Sequence, residues 1–157
     1  MSTPYSHIAS SIQKHLPFFD LAPHSEFTHL IHHRSSGVDY DQYATEYSRR
    51  YWFRNYWKSV YFFEYEYHPP CALRLAVNQQ EPFHITVLGA GSGADTVALL
   101  TWINKHVPFA HVSVTLVDRS KKQLELAKQC IDRAVPHLTE TTCSVKYVHA
   151  DFKDWIP

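Results

Sequence analysis

Three of the four glycines in this 157-residue chain fall within the segment Gly89-Ala90-Gly91-Ser92-Gly93. An apolar run ending at Leu88 precedes the segment, and a helical pattern of apolar residues begins at Ala94. Glycine accepts positive φ angles and lets the backbone approach a ligand closely. A glycine loop between a strand and a helix therefore predicts an α/β unit with a binding site at the loop.

The chain from residue 81 onwards alternates β-branched runs with helical patterns. We expect strands over His84–Leu88, Val112–Val117 and Ser144–Val148, with helices over 94–106 and from 121 to about 135. Ser120 is a typical N-cap for the second helix, and Gln123 occupies the third position of a capping box. The order β-α-β-α-β predicts an α/β fold with a parallel sheet and right-handed crossovers.

Residues 1–80 form a different region, rich in aromatic residues and predicted to be helical. We expect helices over 8–19, 26–33 and 39–67, although the alternating aromatics of 61–67 also fit a strand. Prolines at 69, 70 and 82 mark the boundary between this extension and the α/β region of residues 81–157. A stripe of tyrosines at helical spacing favours core packing over the lining of a binding pocket, and it comprises Tyr40, Tyr43, Tyr47 and Tyr51.

The predicted strands have two unlike faces. One face is apolar and comprises Ile85, Val87, Val112, Val114, Leu116, Val145 and Tyr147. The other is more polar and comprises Thr86, Leu88, Ser113, Thr115, Val117, Ser144, Lys146 and Val148. Because right-handed crossovers place both helices on one face, we expect the polar face to be partly wet, with some cover from the aromatic N-terminal region. The first strand is then an edge strand.

Two acidic residues follow the predicted strands at their carboxyl ends. Asp118 ends the second strand, and Asp151 and Phe152 come directly after the third. Ligands of open parallel sheets bind at these strand ends, and an acid at the end of the second strand can accept ribose hydroxyls. The glycine loop and the two aspartates therefore predict one binding site.

This set of residues resembles the class I S-adenosylmethionine-dependent methyltransferases over the stretch from His84 to Phe152. The resemblance implies a Rossmann-like fold with S-adenosylmethionine as the cofactor. It implies cofactor-binding roles for Gly89, Ala90, Gly91, Ser92, Gly93, Asp118, Arg119, Asp151 and Phe152. In the family, the glycines lie under the methionine and ribose, Asp118 corresponds to the ribose acid, and Asp151 to the adenine acid. Val87 stands where many members carry an acid.

The resemblance also implies that much of such an enzyme is missing from this sequence. Methyltransferase domains of this class usually have seven strands, and their catalytic and acceptor-binding residues usually follow the fourth. The chain therefore resembles the N-terminal part of a methyltransferase, truncated after the third strand. The resemblance assigns no catalytic residue to this sequence. We therefore expect methyl transfer to need a second chain or a C-terminal half.

The same residues are consistent with two other functions. Gly89, Gly91 and Ala94 also satisfy the dinucleotide pattern G-x-G-x-x-[GA], with Asp118 near the expected separation. That alternative is an NAD(P)-binding oxidoreductase fragment. The other alternative is a non-catalytic remnant that binds a cofactor or a partner.

The charge and composition of the chain exclude few classes of binding partner. Lys plus Arg equals Asp plus Glu, so a strongly electrostatic nucleic-acid binder is disfavoured. A stretch without acids nevertheless interleaves aromatics with Arg49, Arg50, Arg54 and Lys58. This pattern favours an amphipathic helix with solvated cations, and RNA is the acceptor class to test first.

The sequence shows no strong pattern for a metal site, a disulfide or a membrane span. His29, His32 and His33 have helical spacing but lack a full ligand set, so we predict no metal site. Cys71, Cys130 and Cys143 form no C-x-x-C pair, which favours buried thiols in a reducing compartment. No apolar run reaches the length of a membrane span, and we expect a cytoplasmic or nuclear protein.

Overall fold

The computed structural model describes residues 3–20, 41–66, 82–108, 110–151 and 153–155. The N-terminal region contributes two helices, α1 (Pro4–His15) and α2 (Ala44–Tyr61). The second half then alternates β1 (Phe83–Leu88), α3 (Ala94–His106), β2 (His111–Asp118), α4 (Lys121–Ala134) and β3 (Thr142–His149). The three strands are parallel in the order β1-β2-β3, so the α/β class and the alternation of elements are confirmed.

The N-terminal helices differ in detail from the sequence expectation. α1 begins where the Thr3 hydroxyl accepts the Ser6 N–H at 3.2 Å, and a short 3₁₀ helix (Pro17–Asp20) replaces its expected continuation. α2 runs into a π-helical turn (Phe62–Glu66), so the alternative of a strand over 61–67 is wrong for its described residues. The Tyr61 and Tyr65 rings lie 5.0 Å apart, a contact between neighbouring helical turns. The helix expected over 26–33 lies outside the described residues.

One face of the sheet is buried, whereas the other is partly exposed and buries only Val117 among its described residues. Val112, Val114 and Leu116 of β2 are fully buried, and the apolar residues of β1 and β3 pack around the same core. On the opposite face, Thr86 and Lys146 are exposed. The strand alternation therefore predicted correctly which face is apolar.

We expected the N-terminal region to cover part of the polar face of the sheet, and this is wrong for its described residues. α1 and α2 pack against α3 and α4, so they form a second helical layer and do not cover the polar face. The physical reason is that α3 is apolar on nearly every side, with Val97, Leu100, Trp102 and Ile103 among its buried residues. The sheet can cover only one side of α3, and α2 buries the rest.

Aromatic residues of α2 supply much of this second interface. Trp52 and Tyr56 are buried and stack with a centroid distance of 5.1 Å. The Tyr56 hydroxyl donates to the Tyr5 carbonyl of α1 at 2.9 Å, so the polar end of the ring is satisfied. The described residues of both halves of the chain therefore share one hydrophobic core.

The described cysteines are free thiols placed in or beside this core. Cys130 is buried and Cys143 is half-buried, and burial raises the pKa of both thiols. Cys71 lies outside the described residues. None of the helices in the described ranges is long and apolar enough to cross a membrane.

A polar cluster around Glu64 fastens the end of α2 to the other helices. The carboxylate lies 2.8 Å from Lys105 Nζ and 2.8 Å from His106 Nε2 of α3, and it accepts a hydrogen bond from the Tyr5 hydroxyl of α1. Burial raises the pKa of Glu64, but the hydrogen bonds from Lys105, Tyr5 and His106 outweigh it and lower the pKa to about 2.

We predict that this carboxylate makes the fold acid-sensitive. Its contribution is complete above its ordinary pKa of 4.5 and is lost as the pH falls towards its folded pKa of about 2. Glu64→Gln should therefore be less stable than wild type near neutral pH, and the difference should shrink as the pH falls through this window. Urea unfolding at a series of pH values, followed by tryptophan fluorescence, measures this.

Glu125→Gln is the matched control, since Glu125 pairs with Lys122 at 3.3 Å on the surface, with about half of each side chain exposed. Exposed pairs contribute little to stability. A constant difference between Glu64→Gln and wild type across the pH range would contradict the prediction.

Candidate functional site

The glycine loop turns the chain from β1 into α3 through left-handed backbone. The N–H groups of Gly89 and Ala90 both donate to the Val117 carbonyl, at 2.8 and 3.1 Å. The Gly93 N–H then donates to the Ala90 carbonyl at 3.1 Å and closes the turn. The φ angles of Gly89, Gly91 and Gly93 are +68°, +52° and +77°, which residues with a Cβ rarely adopt.

The three glycines serve two different purposes. A Cβ built at Gly89 or Gly91 meets no described atom within 4 Å, so these positions border open space. A Cβ at Gly93 would lie 3.1 Å from the Cβ of Ala127 on α4. Gly93 therefore permits close packing of α4, whereas Gly89 and Gly91 leave room above the loop for a ligand.

Asp118 fixes the loop to the end of β2. Its Oδ2 accepts the Gly91 N–H at 2.8 Å, and its Oδ1 accepts the Ser120 N–H at 2.8 Å. An ionised carboxylate has about four lone-pair sites, so further acceptor capacity remains on both oxygens. The side chain can therefore position the loop and bind a ligand hydroxyl at the same time.

The start of α4 is capped by residues from both halves of the chain. The Ser120 hydroxyl accepts the Gln123 N–H at 3.1 Å, as the capping box predicts. In a capping box the Gln123 side chain would also accept the Ser120 N–H. Here it instead accepts from the Ser48 hydroxyl at 3.1 Å and donates to the Ala44 carbonyl at 3.4 Å.

Asp41 completes this cap from the N-terminal region. Its Oδ1 accepts the Ser120 hydroxyl and, at 3.1 Å, the Lys122 N–H. The hydrogen bond from Ser120, followed by that from Lys122, lowers the pKa of Asp41. A carboxylate at a helix N-terminus also meets the positive end of the helix dipole.

A second turn holds Asp151 after β3. Its Oδ1 accepts the Lys153 N–H at 3.0 Å, and its carbonyl accepts the Asp154 N–H at 3.0 Å. Beside it, His149 Nε2 lies 3.0 Å from the Arg119 carbonyl. Polar residues at the ends of β2 and β3 are thus brought together.

These strand ends surround a cavity of about 500 Å³. Its lining comprises Tyr47, Gly89, Gly91, Asp118, Arg119, Gln123, Asp151 and Lys153. Five of these are residues for which the sequence predicted a cofactor-binding role. The carboxylates of Asp118 and Asp151 and the cations of Arg119 and Lys153 give it a mixed charge.

The other sequence-predicted residues lie elsewhere. Ala90, Ser92 and Gly93 are buried behind the cavity, and the Ser92 carbonyl accepts the indole N–H of Trp52 at 3.1 Å. These residues support the loop and do not line the cavity. Phe152 lies outside the described residues.

Sequence reasoning missed three lining residues. Tyr47 belongs to the tyrosine stripe, but that pattern does not show which tyrosine faces the cavity. Tyr43 is buried, whereas Tyr47 lines the cavity with its ring 4.9 Å from that of Tyr51. Gln123 was identified only as a cap, and nothing in the sequence singled out Lys153.

The basic residues of α2 divide into two groups. Arg49 donates to both oxygens of Glu46, at 2.7 and 3.0 Å. The hydrogen bond to Glu46 raises the pKa of Arg49. Arg50, Arg54 and Lys58 are exposed. Arg49 is therefore held in an intramolecular ion pair, whereas the other three form no salt bridge with any residue that the structure describes.

Neither metal ligands among the described residues nor matches to known proteins identify a function for this site. Within the described ranges, no group of three His, Cys, Asp or Glu residues is arranged to hold a metal ion. His29, His32 and His33 lie outside these ranges. No protein-family model matches the chain, and searches of curated proteins and of solved structures gave no significant match.

We predict that alanine will separate the two roles of the glycines. Gly89→Ala should lose about 1–2 kcal/mol of unfolding free energy through its left-handed backbone. Gly93→Ala should lose about 1–3 kcal/mol more, because its Cβ also crowds Ala127. Urea denaturation of both variants measures the difference. Equal losses would show that the contact between Gly93 and α4 does not constrain the loop.

Proposed function

We propose that the chain binds S-adenosylmethionine and supplies the cofactor-binding part of a Rossmann-like class I methyltransferase. The observation that carries this proposal is the meeting of three strand ends at one cavity. The loop after β1, Asp118 at the end of β2 and Asp151 after β3 all line it. Its volume of about 500 Å³ falls in the range of small-molecule sites, roughly 300–1,000 Å³.

The residues present fit this cofactor. The open space at Gly89 and Gly91 gives the methionine and ribose a surface without side chains. Asp118 has acceptor capacity left for the ribose hydroxyls after it has bound the two backbone N–H groups. The Asp151 carboxylate can accept from the adenine amino group. Val87 packs against the core, so its position gives no contact to the methionine ammonium.

In methyl transfer, the bound cofactor supplies a methyl group activated by a positively charged sulfur. The contribution of this chain is to bind and orient, which lowers the entropic part of the barrier. Asp118 is central, because it orders both the loop and the start of α4. We assign no base, and acceptor activation falls to residues beyond those described.

The surroundings of α3 support this cofactor over a dinucleotide. A dinucleotide pyrophosphate binds at the exposed N-terminus of the helix after the glycine loop. Here Gly93 and Ala94 are buried, and neither lines the cavity. The first turn also carries Asp95, which accepts from the Ser59 hydroxyl of α2 at 2.6 Å. A carboxylate at this position repels a pyrophosphate.

The proposal extends to organisation and location. We propose residues 81–157 as the cofactor-binding half-domain and residues 1–80 as its helical extension. The free Cys130 and Cys143 agree with a reducing compartment, and we propose the cytoplasm or the nucleus.

Calorimetric titration with S-adenosylhomocysteine, with NAD as the comparison ligand, tests the function. Loss of binding in Asp118→Ala would be ambiguous, because Asp118 also holds the loop. Gly89→Ala is the sharper variant, since its Cβ enters open space at the cavity. We expect saturable binding of S-adenosylhomocysteine to wild type, at least about tenfold weaker binding to Gly89→Ala, and no binding of NAD.

Gly93→Ala is the matched control, because its Cβ points at α4 and not at the cavity. Its folded fraction, measured by circular dichroism, should bind S-adenosylhomocysteine as wild type does. Binding of NAD alone would favour the oxidoreductase fragment. A folded chain that binds neither ligand would favour the non-catalytic remnant, and the cofactor assignment would then be wrong.

A further inference from the structure

One long face of α2 points away from the core. We call it the α2 strip, and it comprises Tyr47, Arg50, Tyr51, Arg54, Trp57, Lys58 and Tyr61. Their spacing of three or four residues places them on one side of the helix. The opposite side carries the buried Trp52, Tyr56 and Val60.

The strip presents flat aromatic rings to solvent. Trp57 is 44% exposed and Tyr61 is 59% exposed, and they lie one helical turn apart. α2 already buries Trp52 and Tyr56 on its other side, and Trp57 stays exposed although its ring meets that of Tyr56 in a T-shaped contact at 5.2 Å. Neighbouring exposed rings are a platform on which nucleic-acid bases stack.

The strip is also positively charged over its whole length. Arg50, Arg54 and Lys58 are exposed, whereas the strip itself contains no acid. The two glutamates nearest to it on the chain face elsewhere: Glu46 pairs with Arg49, and Glu64 pairs with Lys105 and His106. Three cations thus stand together on a chain whose formal net charge is zero.

The strip leads into the cavity. Tyr47 lines the cavity at one end of the strip, and its ring packs on that of Tyr51. The guanidinium of Arg50 lies 5.8 Å from the centre of the Tyr51 ring. From Tyr47 to Tyr61 the strip extends about 21 Å at the rise of an α-helix.

We infer that the α2 strip binds single-stranded nucleic acid and directs it towards the cavity. Arg50, Arg54 and Lys58 contact phosphates, while Trp57 and Tyr61 stack on bases. A duplex hides its base faces, and an acidic protein would use the cations but not the rings. The inference rests on the proposed function, for which it names the class of methyl acceptor.

Fluorescence anisotropy with labelled oligonucleotides of about 12 nucleotides tests the inference. Single-stranded RNA, single-stranded DNA and duplex RNA of matched sequence are titrated over a range of salt concentrations. We expect single strands to bind more tightly than the duplex. Tighter binding of RNA than of DNA would identify RNA as the source, through the 2′-hydroxyl.

Two sets of variants separate the phosphate contacts from the stacking. The phosphate contacts are removed in a triple variant that combines Arg50→Ala, Arg54→Ala and Lys58→Ala. Its slope of log affinity against log salt should be smaller by about 2, because each phosphate contact on a single strand contributes about 0.7. Trp57→Ala should weaken binding about tenfold without changing that slope, and Trp57→Phe should restore most of the loss.

The charge control removes three exposed cations elsewhere, with Lys14→Ala, Arg133→Ala and Lys146→Ala. An equal loss of affinity in this control would overturn the inference, as would the absence of single-strand binding by the wild-type chain. Titration of every variant with S-adenosylhomocysteine keeps the two proposals apart. If the chain binds S-adenosylhomocysteine but not nucleic acid, only the inference is contradicted. If it binds nucleic acid but not S-adenosylhomocysteine, the proposed function is contradicted.

Discussion

The carboxylate of Asp118 is the interaction on which the site depends. It links three elements: the end of β2, the glycine loop after β1, which the Val117 carbonyl also holds, and the N-cap of α4. Its two backbone hydrogen bonds, to Gly91 and Ser120, are both 2.8 Å long. Hydrogen bonds to an ionised acceptor are stronger than neutral ones, so one side chain can set the shape of the cavity floor.

A second set of bonds makes the N-terminal helices part of the same site. Trp52 donates to the Ser92 carbonyl behind the loop, and Ser48 donates to Gln123 beside the cavity. Asp41 caps α4 from the same region. The helical extension therefore stabilises the loop from behind and closes one side of the cavity. A version of this chain that began at β1 would lose those contacts.

The second half of the molecule could be predicted from sequence because its signals are local. Alternation along the strands, the glycines and the Ser120 cap specify short elements and the side that each buries. The N-terminal half could not be predicted as well, because its helices are defined by what they pack against. Nothing near Tyr47 in the sequence shows that it faces a cavity while Tyr43 is buried. Likewise, Asp41 reaches its partner across 79 residues of chain.

The order of the strands has a consequence for how the chain acquires its structure during synthesis. Each strand pairs with the next one along the chain, so paired residues such as Phe83 and Val112, or His111 and Thr142, are about thirty residues apart. Each addition to the sheet therefore closes a loop of similar, modest length. β1 can pair as soon as β2 emerges, and Asp118, the last residue of β2, then closes the glycine loop. The floor of the cavity can thus form before β3 has been made.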